Sequence, residues 1–223
     1  MQARPKLIVF DIIETVMSLE TLRPRFEAVG LPPETLELWF ASGLRDAFAI
    51  AAAGGFRPFA EVLRGVLGQI APGATEEQSA TIVGGMAELR PHEEAQPALK
   101  MLASAGFRLV ALSNGAAATT RKLLRDGGLE GFFERVGSVD DAQASKPRPE
   151  VYRTLLQACD VAPEDACMVA AHAWDVNGAK AAGLTGVFIA RGQRYPAATM
   201  AAPDIAAETL VEAAEALSLL PHR

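Results

Sequence analysis

Residues Leu7 to Val16 read LIVFDIIETV, a run of strand-forming apolar residues that ends in an acid. The four residues before the acid predict a short buried strand. Asp11 follows them directly, and burial of a carboxylate is costly unless partners surround it. A single acid after a strand is most often a turn or cap residue. The meaning of Asp11 therefore depends on which partners the rest of the chain brings to it.

The chain beyond this stretch contains two kinds of sequence. Residues 19 to 90 contain no convincing strand, and four stretches there show helical periodicity between Gly- and Pro-rich breaks. From Pro91 onward, short apolar strands alternate with helices, which is typical of a parallel sheet covered on both faces. We therefore predict an α/β fold: a Rossmann-like parallel sheet core domain (residues 1–15 and 91–223) with a helical cap domain (residues 16–90) inserted after the first strand.

Bulk properties exclude several classes of function. The 223 residues carry a formal net charge of −6, so nucleic acid is not an expected partner. No stretch approaches the roughly 20 apolar residues of a membrane span, and we expect a cytoplasmic protein that acts on a small molecule. Cys159 and Cys167 lie in apolar contexts and are predicted to be buried free thiols without a chemical role. The apolar helices of the cap are compatible with a homodimer.

Polar residues follow four of the predicted strands. Ligands of open parallel sheets bind at the carboxyl ends of the strands, so these residues form the candidate site. They are Asp11 and Thr15, Ser113 and Asn114, Lys146, and His172 and Asp175. Each alone has an ordinary explanation as a cap, a turn or a solvated charge. Together they supply the donors, the cation and the second carboxylate that a nucleophilic carboxylate requires.

These motifs resemble those of the haloacid dehalogenase superfamily over nearly the whole chain. FDIIET matches its first motif D-x-x-x-T, and LVALSNG, SKPRPEVY and VAAHAWDVNGAKAAG match the other three. The resemblance implies that Asp11 attacks the substrate and forms a covalent aspartyl intermediate, and that Asp175 orients or activates the water that cleaves it. The residues that it implies position Asp11 and balance its charge are Thr15, Ser113, Asn114 and Lys146.

Position 13 bears on the type of reaction. Phosphatases of this superfamily have a second aspartate there that protonates the leaving alcohol, whereas this chain has Ile13. Loss of such an acid typically costs about 10²–10⁴ in rate, but a halide leaves without a proton. In the fourth motif, Ala171 replaces the first metal-binding acid and only Asp175 remains. We therefore predict displacement of halide from a small 2-haloacid, without a metal cofactor.

The resemblance is closest to the L-2-haloacid (type II) dehalogenase branch, whose members use a small helical cap and no metal. It implies that five residues bind substrate: Ile12, Phe40, Tyr152, His172 and Trp174. The branch has an arginine where this chain has Phe40. Arg45 lies about 140° around an ideal helix from that position and cannot simply replace it. Arg23 and Arg25 are the other cap arginines that could supply positive charge.

Two alternatives remain open from the sequence. The first is a phosphatase of the same superfamily with an altered first motif, which would use Mg²⁺. The second is a binding or relic protein that has kept the fold but lost turnover. Three departures from the branch favour the second alternative: Phe40 in the cap, and Ala170 and Ala171 at positions where the branch has serines.

Overall fold

The strand that precedes Asp11 lies at the centre of a six-stranded sheet. In the computed structural model, which describes residues 4–221, the strands are β1 (Leu7–Phe10), β2 (Met17–Ser18), β3 (Arg90–Pro91), β4 (Arg108–Ser113), β5 (Arg135–Ser138), β6 (Ala166–Ala170), β7 (Thr185–Ile189) and β8 (Ile205–Ala207). Six of them form the central sheet in the order β5-β4-β1-β6-β7-β8, in which all neighbours are parallel, and β2 pairs with β3 in a separate ribbon. The predicted α/β class with a parallel sheet is confirmed.

The helices of the described chain are α1 (Arg23–Ala28), α2 (Thr35–Ala52), α3 (Phe59–Ile70), α4 (Glu76–Gly84), α5 (Ala95–Ser104), α6 (Ala117–Asp126), α7 (Pro149–Cys159), α8 (Ala173–Ala181) and α9 (Leu210–Ser218). Helices α5 to α9 cover the two faces of the six-stranded sheet. Along β1, Ile8 and Phe10 belong to one apolar cluster, whereas Leu7 and Val9 belong to a second. Because successive strand residues point to opposite faces, this alternation shows a sheet that is buried on both sides.

Helices α1 to α4, here called the cap helices, follow the first strand as the periodicity predicts. Trp39 of α2 is fully buried; its indole N–H donates to the carbonyl of Leu63 in α3 at 2.9 Å, and its ring meets Phe26 of α1 edge-on at 5.5 Å. The indole therefore ties three cap helices together. The division into a core and a cap domain at residues 15/16 and 90/91 stays a prediction.

Two features of the sheets differ from the sequence prediction. Arg90, inside the stretch predicted to lack strands, pairs with Ser18 in a two-stranded antiparallel ribbon of β2 and β3. The strand β8 was also missed, because Ile205–Ala207 is only three residues long and has no apolar run to mark it. It extends the edge of the sheet beside β7.

Candidate active site

The Asp11 carboxylate lies just beyond the end of the central strand, between the sheet and the cap helices. Its backbone N–H still donates to Val169 of the neighbouring strand at 3.0 Å, which fixes its position. The residue is only 4% exposed. Three side chains contact the carboxylate: Lys146 Nζ lies 3.0 Å from Oδ1, and Thr15 Oγ1 and His172 Nδ1 lie 2.8 Å and 3.1 Å from Oδ2. The sequence thus brings a cation, a hydroxyl and an imidazole to one buried acid.

A tight turn after Asp11 aims Thr15 back at it. The backbone N–H groups of Val16 and Met17 both donate to the carbonyl of Ile12, at 2.9 Å and 2.8 Å. Glu14 has a left-handed backbone with φ of 64°, which is uncommon for a residue with a side chain. The Thr15 hydroxyl also accepts a hydrogen bond from the N–H of Ala171 at 2.9 Å. That bond orients the hydroxyl so that its proton points to Asp11.

Lys146 lies between two carboxylates with no solvent exposure. Its ammonium is 2.7 Å from Asp175 Oδ2 and 3.0 Å from Asp11 Oδ1. Its backbone N–H donates to the side-chain oxygen of Asn114 at 3.1 Å. Asn114 therefore holds the backbone that carries Lys146 and acts on Asp11 through the lysine.

Asp175 is fully buried, and both of its oxygens are engaged. One oxygen binds Lys146, and the other accepts the hydroxyl proton of Tyr152. The predicted role of Asp175 with water stays a prediction; in this geometry, its direct contact is with the lysine. Tyr152 is 1% exposed, and the group at the site that its hydroxyl contacts is Asp175; its predicted contact with substrate stays a prediction.

The titration of these buried groups follows from their neighbours. Burial opposes ionisation of Asp11, but Lys146 and the bonds from His172 and Thr15 outweigh it and hold the pKa of Asp11 well below its ordinary value. Burial also opposes the charge on Lys146, yet the two carboxylates raise its pKa above the ordinary value. Burial raises the pKa of Asp175; Lys146 opposes that rise and the charge of Asp11 adds to it. Asp11 is thus an ionised carboxylate beside a charged lysine.

Two other predicted residues lie at the site without contacting the carboxylate. The Ser113 hydroxyl accepts the N–H of Gly115 at 3.0 Å, and within residues 4–221 no hydrogen bond joins it to Asp11. Its predicted role in positioning Asp11 directly is therefore not seen. Ile12 has no exposed surface and its side chain belongs to the apolar core, so that side chain is not open to a ligand; the predicted part of this residue in substrate binding stays a prediction.

Aromatic rings cover the site on the side of the cap. His172 stacks on Trp174 with centroids 5.1 Å apart, and Trp174 meets Phe48 of α2 at 5.0 Å. Phe40, also on α2, lies 6.1 Å from the His172 ring. Phe40, His172 and Trp174 thus lie together beside the nucleophile, and their predicted role in substrate binding stays a prediction.

Two cavities flank this aromatic layer. The His172 cavity, of about 310 Å³, is lined by Phe40, Ala171, His172, Arg191 and several charged cap residues. The Ser113 cavity, of about 330 Å³, is mostly apolar and is lined by Ile13, Phe59 and Ser113 among others. His172, which contacts Asp11, lines the first of these two cavities.

Arg191 is a site residue that the sequence analysis missed. It lies two residues past the end of β7, and its guanidinium donates to the carbonyls of Glu14 and Thr15 at 3.0 Å and 2.7 Å and to Glu94 at 2.7 Å. It thereby clamps the turn that carries Thr15. The rule used for the other strands, that a polar residue just past a strand end belongs to the rim, also applies to FIAR and would have found it.

The three cap arginines considered from the sequence, Arg23, Arg25 and Arg45, are each paired with an acid. Arg23 lines the His172 cavity, but its guanidinium binds Glu20 and Glu37 at 2.6 Å and 2.5 Å. Arg25 binds Glu88, away from the site. Arg45 is exposed and pairs with Asp46, which agrees with the predicted angle between it and Phe40.

The donor set around Asp11 does not fit a divalent metal well. Lys146 already occupies the space between the Asp11 and Asp175 carboxylates, and a cation bound to the same oxygens would face its charge. Over residues 4–221, no group of three or more His, Cys, Asp or Glu is arranged to hold a metal ion.

None of the helices in that range combines the length and apolar character needed to cross a bilayer.

Comparison with known proteins places this geometry in context. A family model described as haloacid dehalogenase-like hydrolase matches residues 5–183. Haloacetate dehalogenase H-2 of Moraxella is 30% identical over 190 residues, which cover 82% of this chain and 85% of that protein. Phosphoserine phosphatase of Thermus thermophilus is 33% identical over 203 residues, which cover 90% of this chain and 75% of that protein. The solved L-2-haloacid dehalogenase of Xanthobacter autotrophicus, at 24% identity, has the same fold, with a TM-score of 0.88 over 97% of this chain and all of that one.

Proposed function

The chain belongs to the haloacid dehalogenase-like hydrolases, and from that premise we propose that it releases halide from small 2-haloacids without a metal. The observation that carries the proposal is the Asp11 carboxylate, buried, ionised and held by Lys146, Thr15 and His172. A carboxylate fixed in this way is a nucleophile in a near-attack position for a carbon that enters beside it.

In the first step, one oxygen of Asp11 attacks the carbon that bears the halogen. A carbon–oxygen bond forms, the carbon–halogen bond breaks, and the halide leaves with the bonding electrons. No proton is consumed, so the step does not need an acid at position 13, where Ile13 stands. The product is an ester of Asp11, and the negative charge has moved from the carboxylate to the halide.

In the second step, water attacks the carbonyl carbon of the Asp11 ester. Lys146 and Thr15 donate to the carboxyl oxygens and stabilise the negative charge that develops there. Collapse of this adduct returns the Asp11 carboxylate and releases a 2-hydroxy acid and one proton. Asp175 holds Lys146 in place during both steps.

Halide release from chloroacetate, fluoroacetate and 2-chloropropionate tests this function. We expect turnover by the wild type that persists after treatment with a metal chelator and is abolished in Asp11→Asn. Asp160→Asn, at an exposed acid that ends α7, is the matched control and keeps full activity. Halide release that survives Asp11→Asn would refute the nucleophile.

The covalent intermediate has its own test. In a single turnover in ¹⁸O-labelled water, the labelled oxygen enters Asp11 first, because water attacks the aspartyl carbonyl carbon. Mass spectrometry of the peptide that contains Asp11 then shows the label. If the label appears only in the 2-hydroxy acid during the first turnover, water attacks the substrate directly and there is no ester.

A phosphatase is the second candidate, favoured by the 33% identity to a phosphoserine phosphatase. Mg²⁺-dependent release of phosphate from small phosphomonoesters, with no halide release, would establish it.

The predicted cytoplasmic location and homodimer complete the proposal for the protein. Cell fractionation tests the location, and light scattering at several protein concentrations tests the homodimer.

A further inference from the structure

The two ring nitrogens of His172 have different surroundings. Nδ1 lies 3.1 Å from Asp11 Oδ2, and because Asp11 is ionised, this nitrogen must carry a proton. Nε2 has no hydrogen-bond partner within the part of the chain that the structure describes. The side chain is 17% exposed and lines the His172 cavity. One polar atom of this ring is therefore left for a ligand.

The ring is held in a fixed orientation. It stacks on Trp174 at an interplanar angle of 27°, and Phe40 lies on it at a tilt of 34°. Together with the bond to Asp11, these contacts leave the imidazole little freedom to turn. A preorganised donor loses little entropy when it binds a ligand.

Most of the charged side chains around the His172 cavity are acidic or already paired, so few cations there are free to attract an anionic ligand. The charged side chains that line the cavity or contact the ring are Asp11 and Glu14 after β1, Glu20 beyond β2, Arg23 of α1, Glu37 of α2 and Arg191 after β7. Lys146 and Asp175 lie behind Asp11. Arg23 is neutralised by its two glutamates. Arg191 pairs with Glu94, and only three of its five N–H groups are engaged within residues 4–221.

We infer that protonated His172 binds the carboxylate of the substrate through Nε2, while Nδ1 holds the nucleophile. Arg191 adds positive charge on the same cavity wall. The inference rests on the proposed function and narrows its substrate class. In a 2-haloacid, the carboxylate is bonded directly to the reacting carbon, so the group that binds it must lie next to the nucleophile. His172 contacts Asp11 and therefore meets that requirement. In a 3-halo acid the carboxylate is one carbon further from the reacting carbon, so such an acid should not be a substrate.

Chloroacetate and chloroacetamide separate this role from others, because they share the leaving group and differ in charge. In His172→Asn, which keeps an amide donor for Asp11 and removes the cation, we expect KM for chloroacetate to rise about ten- to a hundredfold. For chloroacetamide, kcat/KM should fall by a clearly smaller factor, because only the bond between residue 172 and Asp11 is altered for the neutral substrate. Arg45→Gln changes an exposed arginine of α2 and is the control. Its kcat and KM for both substrates should equal those of the wild type. Equal losses for the two substrates, or no change for either, would overturn the assignment of the carboxylate to His172.

A calorimetric titration with unreactive analogues separates failure of this inference from failure of the proposed function. Propionate should bind the wild type and bind His172→Asn at least about tenfold more weakly, and propionamide should show no such difference. If halide release is absent but propionate binding depends on His172, the proposed function fails and the carboxylate site stands. If halide release depends on Asp11 but propionate binds both proteins equally, the carboxylate site fails alone.

Discussion

The two sides of the active site are built differently. On the sheet side, Asp11, Thr15, Lys146 and Asp175 are buried polar groups joined by hydrogen bonds into one network. On the cap side, Phe40 and Phe48 present aromatic rings to His172 and Trp174. The contrast indicates that the sheet side carries the chemistry and that the cap side shields it and selects the substrate. Each side should therefore respond to substitution in its own way.

The largest effect is expected from Lys146→Met, which keeps the length of the side chain and removes its charge. Two buried carboxylates then lose their shared cation, and stability should fall by about 3–5 kcal/mol with activity lost. Denaturant unfolding and halide release measure both. Lys122→Met removes an exposed lysine paired with Asp126 and should cost under about 1 kcal/mol. Equal losses in the two variants would contradict the contrast.

Acid unfolding tests the charge on the sheet side. Because the pKa of Asp11 in the folded protein lies below its ordinary value, Asp11 adds stability above the unfolded-state pKa of about 3.9, and this is lost as pH falls through the folded pKa. The pKa of Asp175 is raised in the folded protein, so its effect on stability has the opposite pH dependence and becomes more favourable as pH falls. We expect Asp11→Asn to lose less stability than the wild type between pH 5 and pH 2, as measured by denaturant midpoints. A parallel decline would show that Asp11 is not held ionised.

A smaller effect is expected from Tyr152→Phe. The change leaves one oxygen of the buried Asp175 without its donor and should cost about 1–3 kcal/mol of stability. Since Tyr152 does not reach the cavities, kcat should fall while KM stays within about twofold. Steady-state kinetics check this split. A rise in KM alone would mean that Tyr152 contacts substrate after all.

The smallest effect is expected from Phe48→Leu on the cap side. It removes an edge contact with Trp174 worth about 0.5–1.5 kcal/mol and leaves the sheet side intact. KM should rise by about two- to fivefold with kcat nearly unchanged, opposite to the pattern for Tyr152→Phe. If kcat falls instead, the cap takes part in the chemistry.

The sequence predicted the parts of the site that depend on strand ends. Asp11, Lys146 and His172 follow strands, and parallel strands bring their carboxyl ends to one edge, so their convergence could be foreseen. Contacts that depend on the direction of a side chain could not. Ser113 turns to Gly115, and Ile12 turns into the core, although both stand beside motif residues. Neither direction is encoded in spacing alone.

The β2–β3 ribbon has a consequence for how such proteins can change. The chain enters the cap helices after Met17 and Ser18 of β2 and returns from them at Arg90 and Pro91 of β3, and Met17 and Pro91 are paired neighbours. The residues between them form an insertion whose two ends are adjacent. A different helical unit with adjacent termini could therefore replace it without any change in the strand order of the catalytic sheet. New specificities can arise by exchange of a module while the nucleophile and its lysine keep their places.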